Sequence, residues 1–150
     1  MNDSDLFLKL KGKLYDLRTP IVMGVVNITP DSFFALSRYK SDRTLLQQVE
    51  TFLLEGATII DVGGYSTRPQ AEQISVDEEI RRISESLEII YKKFPDAVLS
   101  VDTFRSPVAR IAVQQYGVAM INDISGGTLD QQMFETIADL QVAYVLKKSV

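Results

Sequence analysis

Four short apolar runs, each giving way to a polar side chain and a loop, recur along this chain with helical segments between them. In the first, Ile21-Val22-Met23-Gly24-Val25-Val26 leads to Asn27 and then to Thr29-Pro30-Asp31-Ser32. An unbroken apolar run of this length is the pattern of a strand buried on both faces, which is characteristic of parallel sheets. Pro30 lacks an N–H donor and biases Thr29 away from helix, so a loop follows. The second run spans Ala57 to Val62 with Asp61 as its polar end, ahead of Gly63-Gly64-Tyr65-Ser66-Thr67-Arg68-Pro69. The third, Ala97 to Val101, ends in Asp102-Thr103, and the fourth, Val118 to Ile121, ends in Asn122-Asp123. Val142 to Leu146 reads as a fifth strand.

Helical periodicity fills the gaps. Ser41 or Asp42 can cap a helix whose apolar face is Leu45, Leu46, Val49, Phe52 and Leu53, with Gly56 as its C′ residue. Ser75-Val76-Asp77-Glu78 has the spacing of a capping box, and Ile80, Ile83, Leu87 and Ile90 follow until Pro95. Ser106-Pro107 opens a third helix, with serine at the cap and proline at the first helical position, and Gly117 closes it. A fourth runs from about Gln131 to Leu140, with Met133, Phe134, Ile137 and Leu140 inward. Ahead of all this, Leu6 to Leu10 and Leu14 to Leu17 flank Lys11-Gly12-Lys13 as an N-terminal hairpin.

This β-α order implies parallel strands within one α/β domain over residues 1–150, with no linker inside it. Two architectures fit. An open doubly wound sheet of five strands would be complete in 150 residues, whereas a (β/α)₈ barrel typically takes roughly 250. Length favours the open sheet.

Composition removes several function classes. The chain has no Cys and no His, which excludes a disulfide framework, a thiolate nucleophile and the commonest general base. No apolar run is long enough to span a membrane, and the net charge of −4 argues against generic nucleic-acid binding. Met1-Asn2-Asp3-Ser4-Asp5 lacks the features of a signal peptide, so a cytoplasmic location is expected.

In a parallel sheet, Asn27, Asp61, Asp102 and Asn122 lie at the same end. Any one of them alone reads as a turn or capping residue, but four in register point to a site. Asp102 and Asn122, from successive strands, can hydrogen-bond the edge of a flat heterocycle that carries adjacent donors and acceptors. Arg68 is either a solvated loop residue or an anion contact, with Thr67 beside it. Asn27 offers an oxygen to Mg²⁺ that phosphate already coordinates. Gly126-Gly127 can cradle an anion, though no Walker pattern or GxGxxG accompanies it. No nucleophile–base pair is visible.

These residues resemble a known family. Met23 to Phe33, with Asn27 and Thr29-Pro30-Asp31-Ser32, is similar to the first signature of dihydropteroate synthases. Gly56-Ala57 through Asp61-Val62-Gly63-Gly64 and Ser66-Thr67-Arg68-Pro69 resemble the second. Ser100-Val101-Asp102-Thr103 and Ile121-Asn122-Asp123-Ile124-Ser125-Gly126-Gly127 match the third and fourth strand ends. The resemblance implies a TIM barrel in place of the open sheet, with this chain supplying the hairpin and the first five strands.

It also implies an activity, the condensation of 6-hydroxymethyl-7,8-dihydropterin diphosphate with 4-aminobenzoate to dihydropteroate and pyrophosphate in folate biosynthesis. By motif, Asp102 and Asn122 bind the pterin ring and Thr67 contacts the pterin substrate. Arg68 serves the pyrophosphate or aminobenzoate side, and Asn27 the Mg²⁺–pyrophosphate unit. Asn27, Arg68 and Asp102 are thus the catalytic candidates. Family members are homodimers built on later helices, and their later strands supply further site residues. Where they continue the fifth strand into a Met- and His-containing run, this chain has Lys147-Lys148-Ser149-Val150. The expectation is little or no synthase activity from these residues alone. A non-catalytic pterin-binding module and a remnant without function are the alternatives.

Overall fold

The computed structural model describes residues 6–28, 38–65 and 73–147. Strand β1 (Phe7–Leu10) pairs antiparallel with β2 (Lys13–Asp16), so the expected hairpin is present. Its turn places Lys11 at φ 46° and Gly12 at φ 76°, two left-handed residues in succession, the requirement of the hairpin turn whose twist matches its strands.

Among the described residues, the remainder alternates strand and helix. The elements are β3 (Met23–Asn27), α1 (Arg38–Leu54), β4 (Ile59–Gly63), α2 (Val76–Lys93) and β5 (Val98–Asp102). They continue with α3 (Ser106–Tyr116), β6 (Met120–Asp123), α4 (Met133–Leu140) and β7 (Ala143–Leu146). Strands β3 to β7 form one sheet in sequence order, every pair parallel.

Strand order and layering decide between the two architectures. A doubly wound sheet reverses its strand order at a switch point and carries helices on both faces. Here the order never reverses, and the four described helices all pack on one face. Val26, Val62, Val101 and Ile121, each fully buried, share a core with Leu45 and Val49 of α1, Ile83, Leu87 and Ile90 of α2, Val108 and Ala112 of α3 and Met133 of α4. This is the layering of a (β/α) barrel segment, and it overturns the length argument for an open sheet.

The opposite face carries Met23, Val25 and Asn27, then Ile59, Asp61 and Gly63, and correspondingly Val98, Ser100 and Asp102, by the period of two along each strand. The hairpin plugs its lower end, where Leu10 is buried with Ile59, Val98, Ala119 and Met120. Lys11 Nζ donates to Pro95 O at 2.9 Å and fastens the plug to the turn before β5.

The helix ends hold some surprises. Ser75 Oγ accepts from the Glu78 N–H at 3.1 Å as expected, but the Glu78 carboxylate engages Arg81 and Arg82 rather than turning back. Arg105, not Ser106, occupies the cap position of α3. The Ser106 N–H is taken instead by Asp130 Oδ2 at 2.7 Å, a cap supplied from a distant loop. Helix α1 starts before Ser41, and α4 starts at Met133 rather than Gln131. Phe134 is not inward: it is 50% exposed, and Met133 and Thr136 take the buried positions. Its ring stands edge-on to Tyr144 at 5.9 Å, and a Cβ on Gly127 would lie only 2.5 Å from it.

Candidate functional site

The pairing register sets four residues side by side at the carboxyl ends of the strands. Asn27 pairs with Gly63, Gly63 with Asp102, and Asp102 with Asn122. Three of the predicted polar ends are therefore in one row. Asp61 is the correction: it pairs with Val25 and Ser100, two residues deeper in the barrel face. The apolar run continues past it through Val62 to Gly63, which has no side chain to mark the strand end. Gly63 keeps the row open, since a Cβ there would lie 3.5 Å from Asn27 Oδ1 and 3.6 Å from Asp102 Cβ.

Below that row lies a buried polar layer. Asp61 and Ser100, 1% and 0% exposed, form it, and Asn122 of the row, 3% exposed, is tied to it: Asn122 Nδ2 donates to Asp61 Oδ2 at 3.0 Å. The two residues belong to β4 and β6, with β5 between them. Alternate strands of a flat sheet are about 10 Å apart, so a direct side-chain bond between them marks a concave face, as in a barrel interior. Asp61 Oδ1, Asn122 Oδ1 and Ser100 Oγ are buried without a partner. An unsatisfied buried acceptor costs about 1–3 kcal/mol; of the three, only Asn122 belongs to the strand-end row, where a ligand that brings donors can recover that cost.

Asp102 stands partly buried above this layer. Burial and the nearby carboxylates of Asp61, Glu79 and Asp123 push its carboxyl up to about 6, with Lys147 pulling the other way. A carboxyl so perturbed, facing a concave polar site, is the kind of group that functional sites collect.

Sequence reasoning missed the support behind Asp102. Glu79 of α2 is completely buried and accepts from Thr103 Oγ1 and Arg105 Nη1, both at 2.8 Å. Burial raises the Glu79 carboxyl above its ordinary range, against the pull of Thr103 and Arg105. Arg105 also donates to Ile74 O at 2.8 Å and lies over the rings of Tyr65 (5.2 Å) and Phe104 (5.1 Å). The signal was available: Glu79, Ile83 and Leu87 are four residues apart, so Glu79 lies on the buried stripe of its helix.

Thr67, Arg68, Asp31 and Ser32 lie outside the described residues. Gly126-Gly127 does not cradle an anion. The Gly127 N–H is committed to Asp123 Oδ2 at 3.0 Å and the Ser125 N–H to Asp123 Oδ1 at 2.8 Å, while Tyr144 donates its hydroxyl to Asp123 as well. Met120 is buried in the core.

Among the described residues no cluster of three or more acidic or other ligating side chains could hold a metal ion. Asn27, exposed at its strand end, offers one neutral oxygen. That fits Mg²⁺ only as an ion that retains waters and arrives with a phosphate group. No described helix is long and apolar enough to cross a membrane.

Comparisons with known proteins agree with this geometry. The family described as "Pterin binding enzyme" matches residues 23–149. The folic acid synthesis protein fol1 of Pneumocystis carinii is 47% identical over 121 residues, covering 81% of this chain and 16% of that protein. The dihydropteroate synthase of Streptococcus pyogenes is 38% identical over 125 residues, covering 83% of this chain and 46% of the synthase. Among solved structures, the dihydropteroate synthase of Xanthomonas albilineans with 4-aminobenzoic acid superposes with a TM-score of 0.81 at 37% identity. That match covers 94% of this chain and 51% of the synthase, so the chain spans about half the length of such relatives.

Proposed function

Because this chain belongs to the pterin-binding enzyme family, we propose that its strand ends form the pterin-holding part of a dihydropteroate synthase. The reaction joins 6-hydroxymethyl-7,8-dihydropterin diphosphate to 4-aminobenzoate. The observation that carries this reading is the pairing of Asp102 with Asn122 across β5 and β6, on a concave face over a buried polar layer.

Asp102 accepts hydrogen bonds from the amino group and ring N–H of the pterin, and Asn122 supplies an acceptor beside it. Held there, the pterin methylene points outward over Gly63, whose missing side chain leaves room between Asp102 and Asn27. The bond from that methylene carbon to diphosphate oxygen breaks, and the electron pair leaves with the diphosphate. The amine nitrogen of aminobenzoate gives its lone pair to the same carbon and then loses a proton. No enzymic nucleophile is required, which suits a chain with neither Cys nor His. Asn27 would hold Mg²⁺ that enters with the diphosphate, and that ion would neutralise charge on the leaving group. By resemblance, Arg68 and Thr67 contact the diphosphate or aminobenzoate and the pterin.

Calorimetric titration of the chain with the pterin diphosphate tests this. Binding that Asp102→Asn and Asn122→Ala each weaken is expected, and no heat of binding to the unaltered chain would sink the proposal. Little or no dihydropteroate is expected from these 150 residues alone, because the family's remaining site groups come from later strands.

A further inference from the structure

We infer that Asp61 is a positioning residue: through its hydrogen bond to Asn122 Nδ2 it fixes the carboxamide so that Oδ1 remains the acceptor for a donor-bearing ligand edge. The inference rests on the pterin reading for the ligand's identity, but the orientation itself is a property of the protein. A carboxylate carries no hydrogen to donate, so the half of the carboxamide that pairs with it must be the nitrogen. Asp61 Oδ2 meets Nδ2 at 3.0 Å, which leaves Asn122 Oδ1 buried and unpartnered. Asp61 is itself buried two residues below the row of strand ends, so it acts through Asn122 and not by contact with the ligand.

The consequence is selectivity. With an undirected carboxamide, Asn122 could offer either its oxygen or its amino group, and would bind an acceptor edge as readily as a donor edge. With Asp61 in place, the oxygen is committed to ligands that bring N–H groups. Heterocycles that present ring N–H or amino hydrogens at this edge are accepted, and those that present only lone pairs leave Oδ1 unsatisfied.

Two measurements on the full chain test this separately. The first needs no ligand: the side-chain ¹⁵N–¹H resonances of Asn122. One slowly exchanging carboxamide proton in the unaltered chain, which becomes fast-exchanging in Asp61→Asn, is expected; rapid exchange in the unaltered chain would overturn the orientation. The second is the affinity for 6-hydroxymethylpterin as the probe. Asp61→Asn, which can itself donate to Oδ1 and let the carboxamide turn over, is expected to weaken binding about tenfold. Ser100→Ala, a change in the same buried row at the residue paired with Asp61, is expected to leave it unaltered. Equal weakening by both variants would mean that disturbance of the layer, and not carboxamide orientation, was responsible. If Asp61→Asn does not fold, the resonances of the unaltered chain still decide the orientation. If the unaltered chain binds no pterin, the proposed function fails while the resonances decide this inference.

Discussion

Asn122 and Asp61, sixty-one residues apart, meet through one 3.0 Å hydrogen bond that passes over an intervening strand. This contact ties the curvature of the sheet to the site. Flatten the sheet and the two side chains separate; keep it curved and the carboxamide is held beside Asp102. The strand-end row of the barrel face is thus organised from below, by a layer two residues deeper along the strands.

Gly63 is the residue in the strand-end row where a small change separates binding from folding. A methyl group there meets Asn27 and Asp102 at ordinary contact distances. Gly63→Ala is therefore expected to change stability by less than about 1 kcal/mol. It narrows the gap above Asp102, and 6-hydroxymethylpterin affinity should fall by roughly tenfold. Gly24→Ala provides the contrast. Its Cβ would lie 2.6 Å from the Phe52 ring, and about 1–3 kcal/mol of stability should be lost to overpacking. Denaturant titration of both variants checks the pair.

Asp102 should show opposed effects on stability and binding. Its folded pKa of about 6 lies above the ordinary 3.8. A carboxyl raised on folding stabilises the protein most below its unfolded value, and that contribution is lost as pH rises through about 6. Asp102→Asn should therefore raise the melting temperature at pH near 7.5 by about 2–4 °C, and the gain should vanish toward pH 4. Pterin binding should be lost at the same time. A variant no more stable than the parent at neutral pH would contradict the assigned burial of the charge.

The Glu79–Arg105 pair predicts a large loss on truncation. Glu79 is fully buried, and Arg105 is only 17% exposed at its side chain. Glu79→Ala strands the guanidinium without a counter-charge and should cost about 3–5 kcal/mol. Glu79→Gln keeps an acceptor for Thr103 and should cost less. Comparison of their denaturation midpoints is the check, and equal losses would assign the effect to packing instead of charge.

Tyr144 donates to Asp123 Oδ2 at 2.6 Å, beside the backbone N–H groups that the same carboxylate gathers. Tyr144→Phe should cost about 1–3 kcal/mol by the loss of a charge-assisted bond. Amide hydrogen exchange at Ser125 and Gly127 should rise in step, because both N–H groups rest on the carboxylate that Tyr144 holds through Oδ2.

Much of this was legible in the residues. The strands announce themselves as apolar runs, and Asn27 and Asp102 do end theirs, while Asn122 lies one residue before the end of its own. Other features were hidden for identifiable reasons. Asp61 looked like a strand end because the true end, Gly63, has no side chain to signal it. Ser106 looked like a helix cap, but Asp130, a residue of the loop before α4, takes its N–H. Phe134 looked like core, yet helical spacing cannot say which of two adjacent apolar residues the sheet will cover.

The sequence by itself determined that strands and helices alternate and that polar groups gather at the strand ends, since periodicity and turn chemistry act over a few residues. Only the tertiary structure decided that the four described helices share one face and that the other face is concave. It also decided that a buried aspartate two strands away orients Asn122. Those are consequences of register and curvature, which arise when strands far apart in the chain pair, and no local pattern encodes them.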